Sequence, residues 1–216
     1  MSACSEKQES EGTGRKKVVL SVRTCAGSRG REMNMKGNIE ERKNPIPEEQ
    51  IVVRICGVKN SGKTTLIVSL LRILTGRGLR AAVLKHDGHD FTCDVPGTDS
   101  YRFDQAGAFG TAVLSASQCF IHKRTAGESM RNLIARFPDA DVILIEGMKE
   151  EPGPKIEVIR GCISGEPASN PEGRFLIVTD LPAELFSEPV LGFGDAEKIA
   201  DRILETGRMS VTGKKI

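Results

Sequence analysis

The sequence predicts an α/β domain in three layers, with a mostly parallel central sheet flanked by helices. Three observations lead there. From residue 51 onward, apolar runs of strand length alternate with helical patterns, the rhythm of right-handed βαβ crossovers. One run, Val142-Ile143-Leu144-Ile145, is apolar throughout, which requires burial on both faces and so the interior of a parallel sheet. The first run leads into Gly57-Val58-Lys59-Asn60-Ser61-Gly62-Lys63-Thr64, a G-x-x-x-x-G-K-T loop that opens a helix. Strand, loop and helix together read as a P-loop, a site built for a nucleoside triphosphate.

Residues 1–50 are rich in Ser, Glu, Lys, Arg and Gly and read as a polar, flexible extension. Their one β-like run, 17–24, is able to add a strand to a sheet edge or a neighbouring subunit. Pro45-Ile46-Pro47 favours an extended linker into the first core strand, 51–56. A helix follows over 64–75, ended by Gly76 and Gly78, and then a strand over 79–85. Thr98 is placed to cap a helix over 99–106 that stops at Gly107. Short strands at 111–115 and 119–123 lie close enough to form a hairpin, and Pro138 ends a helix over 127–137. The buried run 141–146, strands at 155–159 and 174–178, and a covering helix over 196–204 with Ile199, Ile203 and Leu204 on one face complete a domain of residues 51–207. Residues 208–216 read as a short basic tail.

With 216 residues, one such domain accounts for the core. A formal charge of +2 on mixed-sign residues gives no sustained basic field, so nucleic acid is not an expected partner. Six scattered cysteines without a C-x-x-C pair look like reduced thiols of a cytoplasmic protein. No apolar run approaches the roughly 18 residues of a membrane span, and no secretory apolar segment opens the chain. Neither a membrane partner nor export is expected.

A loop that wraps an anion needs backbone without Cβ at its turns, which Gly57 and Gly62 supply, so that successive N–H groups face phosphate oxygens. The helix behind adds free N–H groups and its positive dipole end. Lys63 brings an ammonium to the β- and γ-phosphates, and the Thr64 hydroxyl is placed to complete the shell of a bridging Mg²⁺. Run 141–146 resembles a Walker B strand. Asp141 enters it at the far end and reads as a surface residue, whereas Glu146 leaves it at the ligand end as a metal-shell or water-orienting acid.

The polar cluster after residue 85 falls on the same edge. One of His86 and His89 contacts phosphate or substrate, or both are solvated loop residues; two loop histidines alone do not make a zinc set. Among Asp87, Asp90 and Asp94, one acid beside the metal is expected, and Asp94 is assigned to the shell. Asp180, after the strand over 174–178, either accepts the N1 and N2 protons of guanine or is a turn acid before Leu181-Pro182.

Lys85-His86-Asp87-Gly88-His89-Asp90, followed by Asp94, Pro96-Gly97 and Asp99-Ser100-Tyr101, joins the P-loop before it and Ile145-Glu146-Gly147-Met148-Lys149 after it. In this combination the chain resembles the MobB family of molybdopterin-guanine dinucleotide biosynthesis proteins over about residues 51–204. The resemblance implies a dimeric GTP-binding protein with weak Mg²⁺-dependent GTPase activity. It would assist the guanylyltransferase that attaches GMP to molybdopterin, alongside cofactor-insertion proteins. Carried over, residues 57–65, including Thr65, bind phosphates, Thr64 and Glu146 serve Mg²⁺, and Lys85 through Ser100 face nucleotide or pterin. Lys59 and Lys149 add positive charge on that side. Two other readings remain open: an adapter that presents GTP or pterin without needing hydrolysis, and a small-molecule kinase whose 85–100 loop holds an acceptor hydroxyl.

Overall fold

A computed structural model describes residues 50–88, 91, 92, 94–125 and 127–211, with side chains to 207. The extension at 1–49 with its strand at 17–24, His89, Asp90 and the last five residues lie outside the described residues. The elements run β1 (Ile51–Cys56), α1 (Lys63–Gly76), β2 (Ala81–Lys85), α2 (Asp99–Gln105), β3 (Gly110–Leu114), β4 (Cys119–Lys123), α3 (Met130–Ile134), β5 (Val142–Glu146), β6 (Lys155–Ile159), β7 (Arg174–Thr179), β8 (Val190–Leu191) and α4 (Ala196–Val211).

Among the described residues, six strands form one sheet in the order β2-β5-β1-β6-β7-β8, every pair parallel. The alternation of β5 divides its side chains between two cores. Val142 and Leu144 join Leu66, Ile67, Leu70 and Leu74 of α1 and Ile199, Ala200 and Ile203 of α4 on one face. Ile143 and Ile145 join Leu84 and Ile134 on the other. Leu70 and Leu74 are fully buried, a contribution of about 1.5–3 kcal/mol each from water-excluded area. The chain β3–β4 forms a separate antiparallel hairpin, as its spacing suggested.

Three elements differ from the sequence expectation. Helix α3 begins at Met130 rather than 127, because Gly127 takes φ +145 and the Ser129 hydroxyl caps the helix by accepting from Asn132 N at 3.1 Å. Strand β8, only two residues long, carries no periodicity to read. Helix α4 runs through Gly207 to Val211, past the boundary expected there. A Cβ on Gly207 would collide with the Ile51 side chain, so this glycine lets helix and strand approach closely rather than ending the helix.

Part of the second face is polar. Lys155 and Glu157, both fully buried on β6, point the same way. The Lys155 ammonium donates to the carbonyls of Glu151 (2.6 Å) and Asn170 (3.0 Å), and Glu157 Oε1 accepts from Ala168 N at 2.7 Å. These bonds gather the irregular segments on either side of β6 against the sheet. No helix among the described residues is long and apolar enough to cross a membrane.

Candidate functional site

Because all six strands are parallel, their carboxyl ends share one edge. The chain leaves β1 toward β2 on one side and β6 toward β7 on the other, so the order reverses between these neighbours. The crevice at such a reversal is where open α/β sheets hold ligands. The glycine-rich loop stands there.

Its backbone has the shape the sequence requires. Gly57 (φ +138), Asn60 (φ 65) and Gly62 (φ +103) adopt left-handed conformations, the middle one a tolerable position for Asn. Ser61 is fully buried, and its hydroxyl lies where a Cβ on Gly57 would intrude at 2.8 Å. Gly62 caps α1 without any side-chain hydrogen bond, and the first turn carries no acidic residue. The leading N–H groups and positive end of α1 therefore face the crevice without a competing carboxylate from the helix itself. The Lys63 ammonium donates to Val58 O at 2.6 Å, folded back onto its own loop. Lys59 and Thr65 are exposed beside it.

Glu146 ends β5 level with Ile55 of β1 and Lys85 of β2. The Thr64 hydroxyl lies 3.2 Å from each carboxylate oxygen of Glu146. Gly147, at φ +102, donates to Ile55 O at 3.1 Å and accepts from Cys56 Sγ at 3.4 Å, which fixes the turn behind the acid. Burial and the neighbouring Glu157 carboxylate push the Cys56 thiol up to about 11, so it remains a protonated packing group at neutral pH. A hydroxyl and a carboxylate together are oxygen donors of the kind Mg²⁺ takes, since that ion keeps several waters and uses few protein ligands. The pair fits the ion.

The other expected residues divide by place. His86 sits beside this turn, its N–H donating to Glu146 O at 3.0 Å, and Lys85 pairs with Asp87 at 3.4 Å. Asp94 turns Oδ1 to Val95 N (2.8 Å) and the Thr98 hydroxyl (3.4 Å), closing the turn before α2. Among the described residues no hydrogen bond or ion pair joins it to Thr64 or Glu146. Lys149 is half-exposed next to Glu150, 3.7 Å away. Asp141 lies at the opposite edge, its pKa held down by hydrogen bonds from the Arg80 side chain and backbone. Asp180 follows β7 at the ligand edge, accepting from Gly161 N at 2.7 Å.

The sequence model of "Molybdopterin guanine dinucleotide synthesis protein B" matches residues 52–180, well over half of the chain. The chain belongs to the MobB family. A molybdopterin-guanine dinucleotide biosynthesis adapter protein of Escherichia coli K12 is 34% identical over 152 residues, which span 67% of this chain and 86% of that protein. Its counterpart from Haemophilus influenzae is 31% identical over 163 residues, 74% of this chain and 89% of that one. The crystal structure of Bacillus subtilis MobB superposes with a TM-score of 0.59 at 27% identity, covering 72% of this chain and 97% of that structure. The P-loop α/β architecture read from the sequence is the fold of these MobB structures.

Two residues of this MobB chain at the crevice escaped the sequence reading. Arg160 follows β6 and Phe193 follows β8, and the guanidinium carbon lies 3.9 Å from the ring centroid. Both border Gly62: a Cβ there would meet the Phe193 ring at 3.4 Å and Arg160 Nη2 at 3.5 Å. Asp195 holds this corner by accepting from Gly192 N at 2.9 Å, with its pKa lowered by Lys198 and that backbone donor. Arg160 was findable by the rule that picked out Asp180, its place just past a strand's carboxyl end. Phe193 follows a strand too short to announce itself.

Proposed function

We propose that the chain binds GTP with Mg²⁺ at this crevice and acts in the cytoplasm in the synthesis of molybdopterin guanine dinucleotide, as a nucleotide-binding adapter with slow GTPase activity. MobB membership and the names of the relatives support the role in molybdenum cofactor biosynthesis. One observation carries the nucleotide reading: the phosphate loop, with its uncapped helix end, stands within reach of a hydroxyl and a carboxylate 3.2 Å apart. In this reading the loop's N–H groups and Lys63 hold the phosphates, Thr64 and Glu146 hold the ion, and the ion offsets charge on the phosphates. Glu146, already bonded to Thr64, serves the shell rather than a distant water.

The test is a calorimetric titration of GTP and ATP, each with and without Mg²⁺, alongside phosphate release and transferase output. GTP is expected to bind more tightly than ATP, with Mg²⁺ strengthening it. Asp180→Asn is expected to narrow the difference by roughly tenfold, since the wrong base leaves the carboxylate unpaired. Equal affinities in the wild type end the guanine assignment. Negligible phosphate release, with transferase output proportional to added protein, favours the adapter reading over the hydrolase.

We also propose a homodimer built through the α2–β4 segment. Leu114 and Ile121 lie on one face of the β3–β4 hairpin and expose 80% and 58% of their surface, and Phe103 and Phe109, earlier in the segment, expose 59% and 72%. A two-stranded hairpin is marginal alone, and a second copy offers the same apolar face for isologous pairing. Light scattering at micromolar concentration is expected to give twice the chain mass; a monomer across the accessible range removes the proposal.

A further inference from the structure

The corner beside Gly62 has a chemistry of its own. Arg160 lays a planar, delocalised cation on the Phe193 ring, 3.9 Å from its centroid. The edge of the same cation carries Nη1 to Asp180 Oδ2 at 3.5 Å. Asp180 is held in place through its other oxygen, which accepts from Gly161 N, leaving Oδ2 turned to Arg160 beside Gly62. A flat group stacked on an aromatic face, with N–H donors turned to a fixed carboxylate, matches what guanine presents: a π-face and the neighbouring N1–H and N2–H₂ donors, which are themselves part of a guanidine unit.

We propose that Phe193 and Asp180 form the guanine seat, and that the Arg160 side chain is a built-in stand-in for the base, displaced when GTP binds. This rests on the GTP reading above and extends it to two residues. Position relative to the metal pair supports the assignment. Phe193 and Arg160 flank Gly62 on the β6–β8 side of the loop, whereas Thr64 meets Glu146 on the β5 side. A triphosphate lying along the loop with its metal at Glu146 carries its base toward β7 and β8. Arg160 is well suited to leave. Its side chain is 36% exposed and that of Asp180 43%, so the pair is solvent-screened and weak. The cation–π contact adds only a modest hold at such exposure. Once displaced, the guanidinium remains near the loop, free to swing toward solvent.

The experiment compares wild type, Arg160→Ala, Phe193→Ala and Phe193→Leu by calorimetry with three probes: Mg²⁺-GTP, Mg²⁺-ITP, which lacks the 2-amino group, and inorganic tripolyphosphate with Mg²⁺. Thermal unfolding of each variant checks the fold. Arg160→Ala is expected to bind GTP roughly three- to tenfold more tightly, because the base no longer competes with the guanidinium. Tripolyphosphate, which has no base, is expected to bind that variant no better than wild type. Phe193→Ala is expected to weaken GTP by roughly tenfold and leave tripolyphosphate unchanged, with Phe193→Leu in between, as loss of a stacking face requires. ITP is expected to gain less than GTP from Arg160→Ala. Weaker GTP binding by Arg160→Ala would show that the guanidinium contacts the nucleotide, overturning displacement while leaving the GTP site intact. Unchanged GTP affinity in a folded Phe193→Ala likewise overturns the seat. If neither wild type nor Arg160→Ala takes up any guanine nucleotide, the inference and the GTP reading fall together.

Discussion

Lys63→Ala is expected to weaken GTP binding by about a hundredfold or more, about 3 kcal/mol, while leaving the fold in place. Among the described residues its ammonium hydrogen-bonds its own loop, at Val58 O (2.6 Å), and the side chain joins neither hydrophobic core. Its removal therefore leaves helix and sheet as they are. What is lost is a mobile ammonium that exchanges a carbonyl for phosphate oxygens, and a charge-assisted contact of that kind is among the strongest a protein offers. Titration calorimetry gives the affinity, and circular dichroism melting shows whether the variant remains folded. A folded Lys63→Ala that holds GTP as tightly as wild type contradicts the placement of the phosphates.

Gly57→Ala is expected to affect both binding and stability. At φ +138 an L-residue is strained, and the added Cβ would press into the carbonyl oxygen of Val158, which belongs to the β6 backbone beside β1. Strain and overpacking together cost about 2–5 kcal/mol, lowering the melting temperature by about 5–15 °C for a domain of this size. The displaced loop would also misdirect its N–H groups, so GTP affinity is expected to fall with it. Gly76→Ala supplies the contrast. That glycine ends α1 in ordinary helical geometry with nothing within 4 Å of the added Cβ, and alanine there is expected to raise stability slightly. If Gly57→Ala melts with wild type, the close approach of loop to β6 is wrong.

The parts of this molecule that were legible in the sequence are those where one local pattern serves one physical demand. The unbroken apolar run of β5 needs burial on both faces, and it lies between β2 and β1. Thr98 and Gly107 bracket α2 by capping chemistry that depends on neighbours alone: Thr98 accepts from Tyr101 N, and Gly107 takes φ +92. Strand polarity was enough to separate Glu146 from Asp141, because parallel strands end on one edge. Where an element depends on distant partners, the sequence was mute. Gly207 marked only the expected end of the domain, yet its lack of a side chain answers to Ile51 at the start of the domain. The Arg160–Phe193 pair joins two loops through space, and neither residue has a local signature. The polar pair on β6 carries no local mark of its burial, since what closes over both members comes from segments outside the strand.

That polar pair shapes how the stretch between β6 and β7 can vary. An ammonium at 155 grips main-chain oxygens at 151 and 170, and a carboxylate at 157 grips a main-chain nitrogen at 168. None of these grips reads a side chain on the loop. The pair is thus indifferent to the side chains at 168 and 170, whereas one residue added or removed between 160 and 168 shifts the gripped nitrogen at 168 and the oxygen at 170 out of reach. The pair fixes the length of the stretch, while Gly161 and Gly173, where an added Cβ would meet Leu181 and the Gly153 backbone, limit its composition.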